Sequence, residues 1–292
     1  MAVAVLCAVC VAAPARAQTV ALETSAAADG AVVVVAALAT LGGLLSAPEP
    51  EPTRWDDELL GVDRPLRGRW GPGAAHASDA LLMTTLAAPT IVAVGGALDR
   101  GDPELGARAL VYAEAHLLSL ALHTWTKRLV GRPRAYTYGE GGEARRAAAG
   151  ADAMASFYSG HAAAAFTSAL AGSILIGARG EPDGVRAALW ASGLGLAGAT
   201  AMLRTRAGRH FYSDVIAGAL VGGAIGVGVP LAHGAGPSIG ATDVLAGVLG
   251  LVGGVTLAAL WPFDVTDDDP SPALGVANVA FGPQGLSVSG RF

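Results

Sequence analysis

SFYSGHAAAAFTSALAGSILIG, residues 156–177, sets a polar triplet, Ser159-Gly160-His161, at the head of an apolar run that carries no charge. The run reads as a helix, and the triplet then stands at its N-terminus. Unpaired backbone N–H groups at such an end attract anions. The Ser159 hydroxyl adds a donor, and Gly160 lets the backbone approach a ligand closely. Working outward, the apolar part extends over 162–178, and similar stretches lie at about 31–46, 79–98, 107–126, 187–203, 213–232 and 242–260. The expected fold class is all-α, a helical bundle.

Composition points to a membrane setting. Hydrophobic residues make up 52% of the chain, charged residues 15%, and the mean hydropathy is +0.49, all outside the range of an ordinary soluble domain. Several stretches reach the ~20 residues that cross a bilayer, while 31–46 is short. The formal charge of −5 argues against a nucleic-acid partner. Cys7 and Cys10 both lie in the first apolar segment, so the rest of the chain has no thiol for a disulfide or a zinc site.

Two further polar clusters bracket the first triplet. Among 19 basic residues Lys127 is the one lysine, and it stands in KRLVGRPRAY, seven positions before Arg134. RTRAGRHFYSD holds Arg204, His210 and Asp214. A phosphoryl group spreads its charge over three oxygens, so a protein that transfers it mainly positions donors and positive charge. Guanidinium matches two oxygens at once, and ammonium acts as a compact point charge. His210 and Asp214 are four apart, on one face of a helix. A carboxylate on one ring nitrogen fixes the tautomer and makes the other nitrogen a better nucleophile or base. His161 is then free for the opposite role, protonating a leaving alkoxide.

Together these residues resemble the three-part signature of the type 2 phosphatidic acid phosphatase and vanadium haloperoxidase superfamily. That signature is a lysine, six residues and Arg-Pro; then Pro-Ser-Gly-His; then Ser-Arg, five residues, His, three residues and Asp. Lys127 to Arg134, Ser159 to His161, and Arg204 to His210 to Asp214 keep its spacing, over a region of about 105–232. The resemblance implies that His210 is a nucleophile forming a phosphohistidine, that Asp214 orients it and that His161 is the general acid. It implies that Lys127, Arg134, Ser159, Gly160 and Arg204 bind phosphate, with no metal and no cofactor. Three positions depart: Ala135, Tyr158 and Leu203 replace two prolines and a serine, and the last change removes a hydroxyl. His76, His116, His123 and His233 match no motif and read as packing or interfacial residues.

The expected protein is a multi-span membrane phosphatase acting on a phosphorylated lipid or a small phosphate ester. Three alternatives stay open: a vanadium-dependent haloperoxidase, a soluble periplasmic acid phosphatase, and a non-catalytic membrane sensor of phosphate or headgroups. The expected organisation is a signal peptide over 1–17 with Ala15-Arg16-Ala17 as its cleavage site, although no Lys or Arg marks the start. An N-terminal helix and polar connection follow over 18–78, then a helical phosphatase domain over 79–260 and a tail over 261–292 whose alternation suggests a short β-hairpin. Residues 135–158 read as a long loop that caps the pocket and selects the leaving group.

Parity tests the topology, because all three motifs must open on one side. With 1–17 cleaved and 31–46 treated as non-spanning, the site faces the periplasm from a bacterial-type inner membrane. If 31–46 spans after cleavage, the site falls in the cytoplasm. If it spans and the signal stays uncleaved and non-spanning, the site is outside again.

Overall fold

The computed structural model describes residues 19–45 and 60–261, together with the backbone of 278–282 and 285–289. Eight α-helices form it: α1 (Ala26–Leu45), α2 (Pro72–Arg100), α3 (Leu105–Val130), α4 (Gly142–Ala149), α5 (Gly160–Gly177), α6 (Asp183–Arg206), α7 (Tyr212–Ala232) and α8 (Ala241–Leu260). Local chemistry sets several of the ends. Pro72 opens α2, where its missing N–H costs nothing. Gly131, left-handed at φ 57°, stops α3 by donating to the Lys127 carbonyl, and Pro133 follows.

α5 is the central helix. In the window that qualifies it as a candidate membrane span, 78% of its residues are buried, against 11–33% in the other candidates. Its small side chains let neighbours come close. A Cβ at Gly218, Gly222 or Gly226 of α7 would collide with the backbone of α5 at Ser159, Ala163 or Thr167. Gly250 and Gly254 of α8 meet the backbone of α6 at Ala191 and Gly195 in the same way. Such small-residue seams are how helices associate in lipid, where the hydrophobic effect does not drive them together.

The outer surface is apolar. Val34, Val35, Leu38 and Leu41 on α1, Ile91 and Leu98 on α2, and Leu245, Leu249, Val252 and Leu257 on α8 all point away from the bundle. Six helices among the described residues are long and apolar enough to cross a membrane, namely α1, α2, α3, α5, α7 and α8. A soluble helical core would hide these side chains, so the soluble alternative fits the surface poorly.

Three expectations change. The first apolar stretch is not short: α1 covers 20 residues and qualifies as a span. It runs parallel to α3, with Trp125 Nε1 donating to the Ala39 carbonyl at 2.8 Å. α2 begins at Pro72, seven residues before the apolar stretch read at 79–98. The supposed loop over 135–158 holds α4 and two 3-10 turns. The supposed signal over 1–17 lies outside the described residues. In the tail, the backbone of Asn278–Gly282 pairs antiparallel with Gly285–Ser289, but the expected hairpin is not supported as a part of the fold.

The seven long helices, α6 included, alternate in direction along the chain, so one end of the bundle collects the C-termini of α1, α3, α6 and α8 and the N-termini of α2, α5 and α7. The extended segment before α1 covers the other end, where Val20 N–H donates to the Ala178 carbonyl at 2.7 Å and Glu23 N–H to the His233 carbonyl at 3.1 Å.

Candidate active site

All three polar clusters meet at the first of these ends. The last turn of α3 presents Lys127, and the chain beyond Gly131 turns back to bring in Arg132 and Arg134. α5 starts at the triplet, α6 ends at Arg204, and the turn 207–211 carries His210 to the head of α7.

His210 is 1% exposed and held through one nitrogen. Its Nδ1 lies 2.7 Å from the Ser156 carbonyl, which can only accept, so Nδ1 carries the proton. Nε2 then presents its lone pair, and Arg134 Nη1 stands 3.3 Å from it. Burial, followed by the positive charges of Arg134, Arg204 and Lys127, holds the imidazole pKa well below its ordinary value. The ring is a neutral base facing a guanidinium, so its free nitrogen could attack an electrophile held by that cation.

Asp214 is not bonded to that ring. Its Oδ2 is 3.8 Å from His210 Nδ1. The carboxylate accepts instead from Ser156 Oγ at 2.6 Å, from the Phe211 N–H at 2.8 Å and from Arg132 Nη1 at 2.6 Å. It therefore holds Ser156, whose carbonyl holds the histidine. Arg132 Nη2 also donates to Asp63 at 2.9 Å, and Asp63 accepts from the Ser213 N–H and hydroxyl at 3.0 and 2.6 Å. This buried network fastens the start of α7 to the segment before α2.

Arg134 is equally fixed. Nη2 donates to Asp152 Oδ1 at 2.6 Å, Nε to the Asp152 carbonyl at 2.9 Å and Nη1 to the Arg209 carbonyl at 3.0 Å. Burial opposes the charge of Asp152, but Arg134 overcomes it, with Lys127 and Arg209 assisting, and lowers its pKa to about 2.

On the opposite wall, His161 Nε2 lies 2.7 Å from Asp79 Oδ1. Arg204 Nη1 reaches the same oxygen at 3.1 Å and Ser78 Oγ at 3.2 Å. His161 and Asp79 keep 28% and 40% of their side-chain surface exposed, so the site opens beside them. Ser159 caps α5, its hydroxyl accepting from the Ala162 N–H at 3.3 Å. Gly160 lies under the His123 ring, where a Cβ would strike the imidazole. Lys127 is partly buried at the same end of α3.

All eight residues expected from the sequence thus gather at one end. Asp79, Asp152, Ser156, Arg132 and Asp63 were not foreseen. Asp79 left a trace, being an acid at the first position of the apolar stretch 79–98. Ser156 and Asp152 belong to no periodic pattern, and only the fold brings them in.

Residues 108–235 match the family model described as the PAP2 superfamily. Comparison with curated proteins and with solved structures returned no match.

Proposed function

We propose that this chain, whose residues 108–235 match the PAP2 superfamily model, hydrolyses a phosphate monoester or pyrophosphate of a lipid through a phosphohistidine on His210. One observation carries the reading: the unprotonated Nε2 of a buried histidine faces Arg134 Nη1 at 3.3 Å, in a pocket that also gathers Arg204 and Lys127. The phosphoryl oxygens would lie among these cations and the N–H groups at the head of α5. The Nε2 lone pair attacks phosphorus, the bond to the leaving oxygen breaks, and His161, held by Asp79, gives that oxygen a proton. Water then attacks the phosphohistidine, its proton passes to His161, and phosphate leaves with His210 neutral again. Arg134, Arg204 and Lys127 stabilise the charge of both transition states.

Surface chemistry favours a lipid. Met83, one turn along α2 from Asp79, is 58% exposed, and Leu129, two residues beyond Lys127, is 73% exposed. A bilayer reaching these side chains brings its phosphate groups level with the site. The proposed location is a bacterial-type inner membrane with the site facing the periplasm. Because α1 qualifies as a span and ends beside the site, this orientation requires the chain before Ala26 to start on the cytoplasmic side. Residues 1–17 would then not act as a cleaved export signal. Reporter fusions before Ala26 and after Trp261 test this, and fusions reporting the same side would overturn it.

The activity test is phosphate release from a lipid monophosphate, a polyprenyl pyrophosphate and a soluble aryl phosphate, with chelator present, for wild type and His210→Ala. Chelator-resistant release that the substitution abolishes is the expected result, with an acid-labile phosphoenzyme in wild type. Equal release by both proteins would refute the assignment. Halide oxidation on addition of vanadate would mark the haloperoxidase alternative, and phosphate binding without turnover the sensor.

A further inference from the structure

At the other end of the bundle three ionisable side chains from three helices face one another in the interior. Asp29 lies in the first turn of α1, Glu114 in the middle of α3, and His233 caps α7. Their side chains are 12%, 8% and 9% exposed. Glu114 stands thirteen residues before Lys127 on one helix, ~20 Å along its axis, so this cluster is separate from the phosphate pocket.

Its hydrogen bonding is incomplete in a specific way. His233 Nδ1 lies 2.8 Å from the Val229 carbonyl, so this nitrogen carries the proton and Nε2 is left with a lone pair. That lone pair faces Asp29 Oδ1 at 3.5 Å and Glu114 Oε2 at 3.4 Å. The other Asp29 oxygen is taken by the Ser25 N–H at 2.7 Å, whereas buried Glu114 Oε2 has no hydrogen-bond partner among the described residues. Three electron-rich atoms thus converge with no cationic side chain among the described residues set between them, an arrangement that is costly in a low-dielectric interior.

The spacing indicates what would satisfy it. A proton shared with Nε2 would draw one oxygen to the ~2.7–3.2 Å of a hydrogen bond. Here both oxygens stand back at nearly equal, longer distances. Two donors bound ~2.0–2.2 Å from a tetrahedral ion are ~3.3–3.6 Å apart. The imidazole–carboxylate separations fall in that range. A backbone carbonyl behind the distal ring nitrogen is also the usual support of a metal-binding histidine.

We propose that Asp29, Glu114 and His233 bind a divalent transition ion of the zinc class, which clamps the start of α1 to α3 and α7. One nitrogen and two carboxylate oxygens suit zinc or its first-row neighbours better than calcium or magnesium, which take oxygen ligands. Two carboxylates balance the charge of the ion, and a fourth position remains for water. The clamp is structural, and it is independent of the reading of the phosphate site.

The test uses the tag-free full chain in detergent, in a Cys7→Ser/Cys10→Ser background so that thiols cannot account for uptake. After chelation the protein is dialysed against Zn²⁺ or Co²⁺, and metal content, the visible cobalt spectrum and the thermal midpoint are measured. The expected result is one equivalent of ion, ligand-field bands of a low-symmetry cobalt site, and a midpoint about 5 °C or more above the chelated protein at 100-fold excess over Kd. Glu114→Gln and His233→Gln should lose the equivalent, the bands and the shift. Should either variant fail to fold, removal of the ion from the parent by chelator must still lower its midpoint. Uptake equal in parent and variants, or no uptake with a parent midpoint that falls as pH rises through the histidine range, would overturn the proposal, the second outcome assigning the cluster to a proton.

Discussion

Ser156→Ala isolates the step by which Asp214 acts on His210. Ser156 is fully buried and makes three bonds: its hydroxyl to Asp214 at 2.6 Å, its N–H to the Arg132 carbonyl at 2.9 Å, and its carbonyl to His210 Nδ1 at 2.7 Å. Alanine removes only the first. Asp214 keeps Arg132 and the Phe211 N–H, so the carboxylate is not stranded. A hydrogen bond to a charged group contributes about 1.5–3 kcal/mol, and burial leaves no solvent screening to discount. Most of this should appear as lost stability. The remainder loosens the carbonyl that aims the imidazole, and about 1.4 kcal/mol in the transition state is tenfold in rate. The expected outcome is a kcat lower by about tenfold, with KM within about twofold because no proposed phosphate ligand is altered, measured on a soluble aryl phosphate beside the thermal midpoint. Ser156→Thr, which retains a hydroxyl, should recover most of the rate. A lower midpoint with unchanged kcat would refute the reasoning, leaving the link between Ser156 and Asp214 purely architectural.

Arg134→Lys keeps the charge but loses the fork that holds Asp152 and the Arg209 carbonyl, so kcat/KM should fall by about 100-fold, roughly 2.7 kcal/mol; a fall below threefold would show that charge alone suffices. Gly222→Leu drives a side chain into the Ala163 carbonyl and should abolish recovery of folded protein, whereas Gly228→Ala, with nothing within 4 Å of its Cβ, should change the midpoint by less than about 2 °C. Two linked groups set the acid behaviour in detergent. His210, with its lowered pKa, stays neutral in the folded chain while the unfolded chain takes up a proton, so stability should decline as pH falls below about 6.5. Asp152 adds stability above its unfolded value of 3.8 that is lost as pH falls toward about 2; in Asp152→Asn a midpoint profile unchanged over that range would count against its pairing with Arg134. Replacing 142–149 by a short glycine linker, with Asp152 retained, should alter the ratio of lipid to aryl phosphate turnover but leave inhibition by inorganic phosphate within about twofold; an unaltered ratio would remove α4 from substrate selection.

The helices and the candidate site residues were legible because each depends on short-range pattern. An uncharged run reports a helix, and motifs of fixed spacing name Lys127, Arg134, Ser159, His161, Arg204, His210 and Asp214 before any fold is known. What was hidden depends on chain segments distant in sequence. Asp79 meets His161 across 82 positions and Asp63 meets Arg132 across 69, and no local period records such a meeting. The glycines at 218, 222 and 226 were visible as small residues, but their role as a seam emerges only when α5 is found against them. α4 was concealed for another reason. Its sequence, GEARRAAA, is too short and too polar for an apolar period to show.

The three departures from the family signature find their explanation in the same packing. Ala135 is fully buried against Leu66 and Phe211. Tyr158 is 3% exposed and packs on His123, its ring centroid 5.6 Å from the imidazole. Leu203, which costs the family hydroxyl beside Arg204, is 2% exposed and packs among Ala74, Ala75, Ala207 and Ala258. The lost hydroxyl has a counterpart from another helix: Ser78 Oγ stands 3.2 Å from Arg204 Nη1 and is itself held by donating to the Ala75 carbonyl at 2.6 Å. The same turn of α2 supplies Asp79 to Arg204 and to His161. Arg204 is therefore aimed by α2 rather than by its own chain neighbour, and Leu203 is released to seal the contact between α2, α6 and α8 that holds that turn in place.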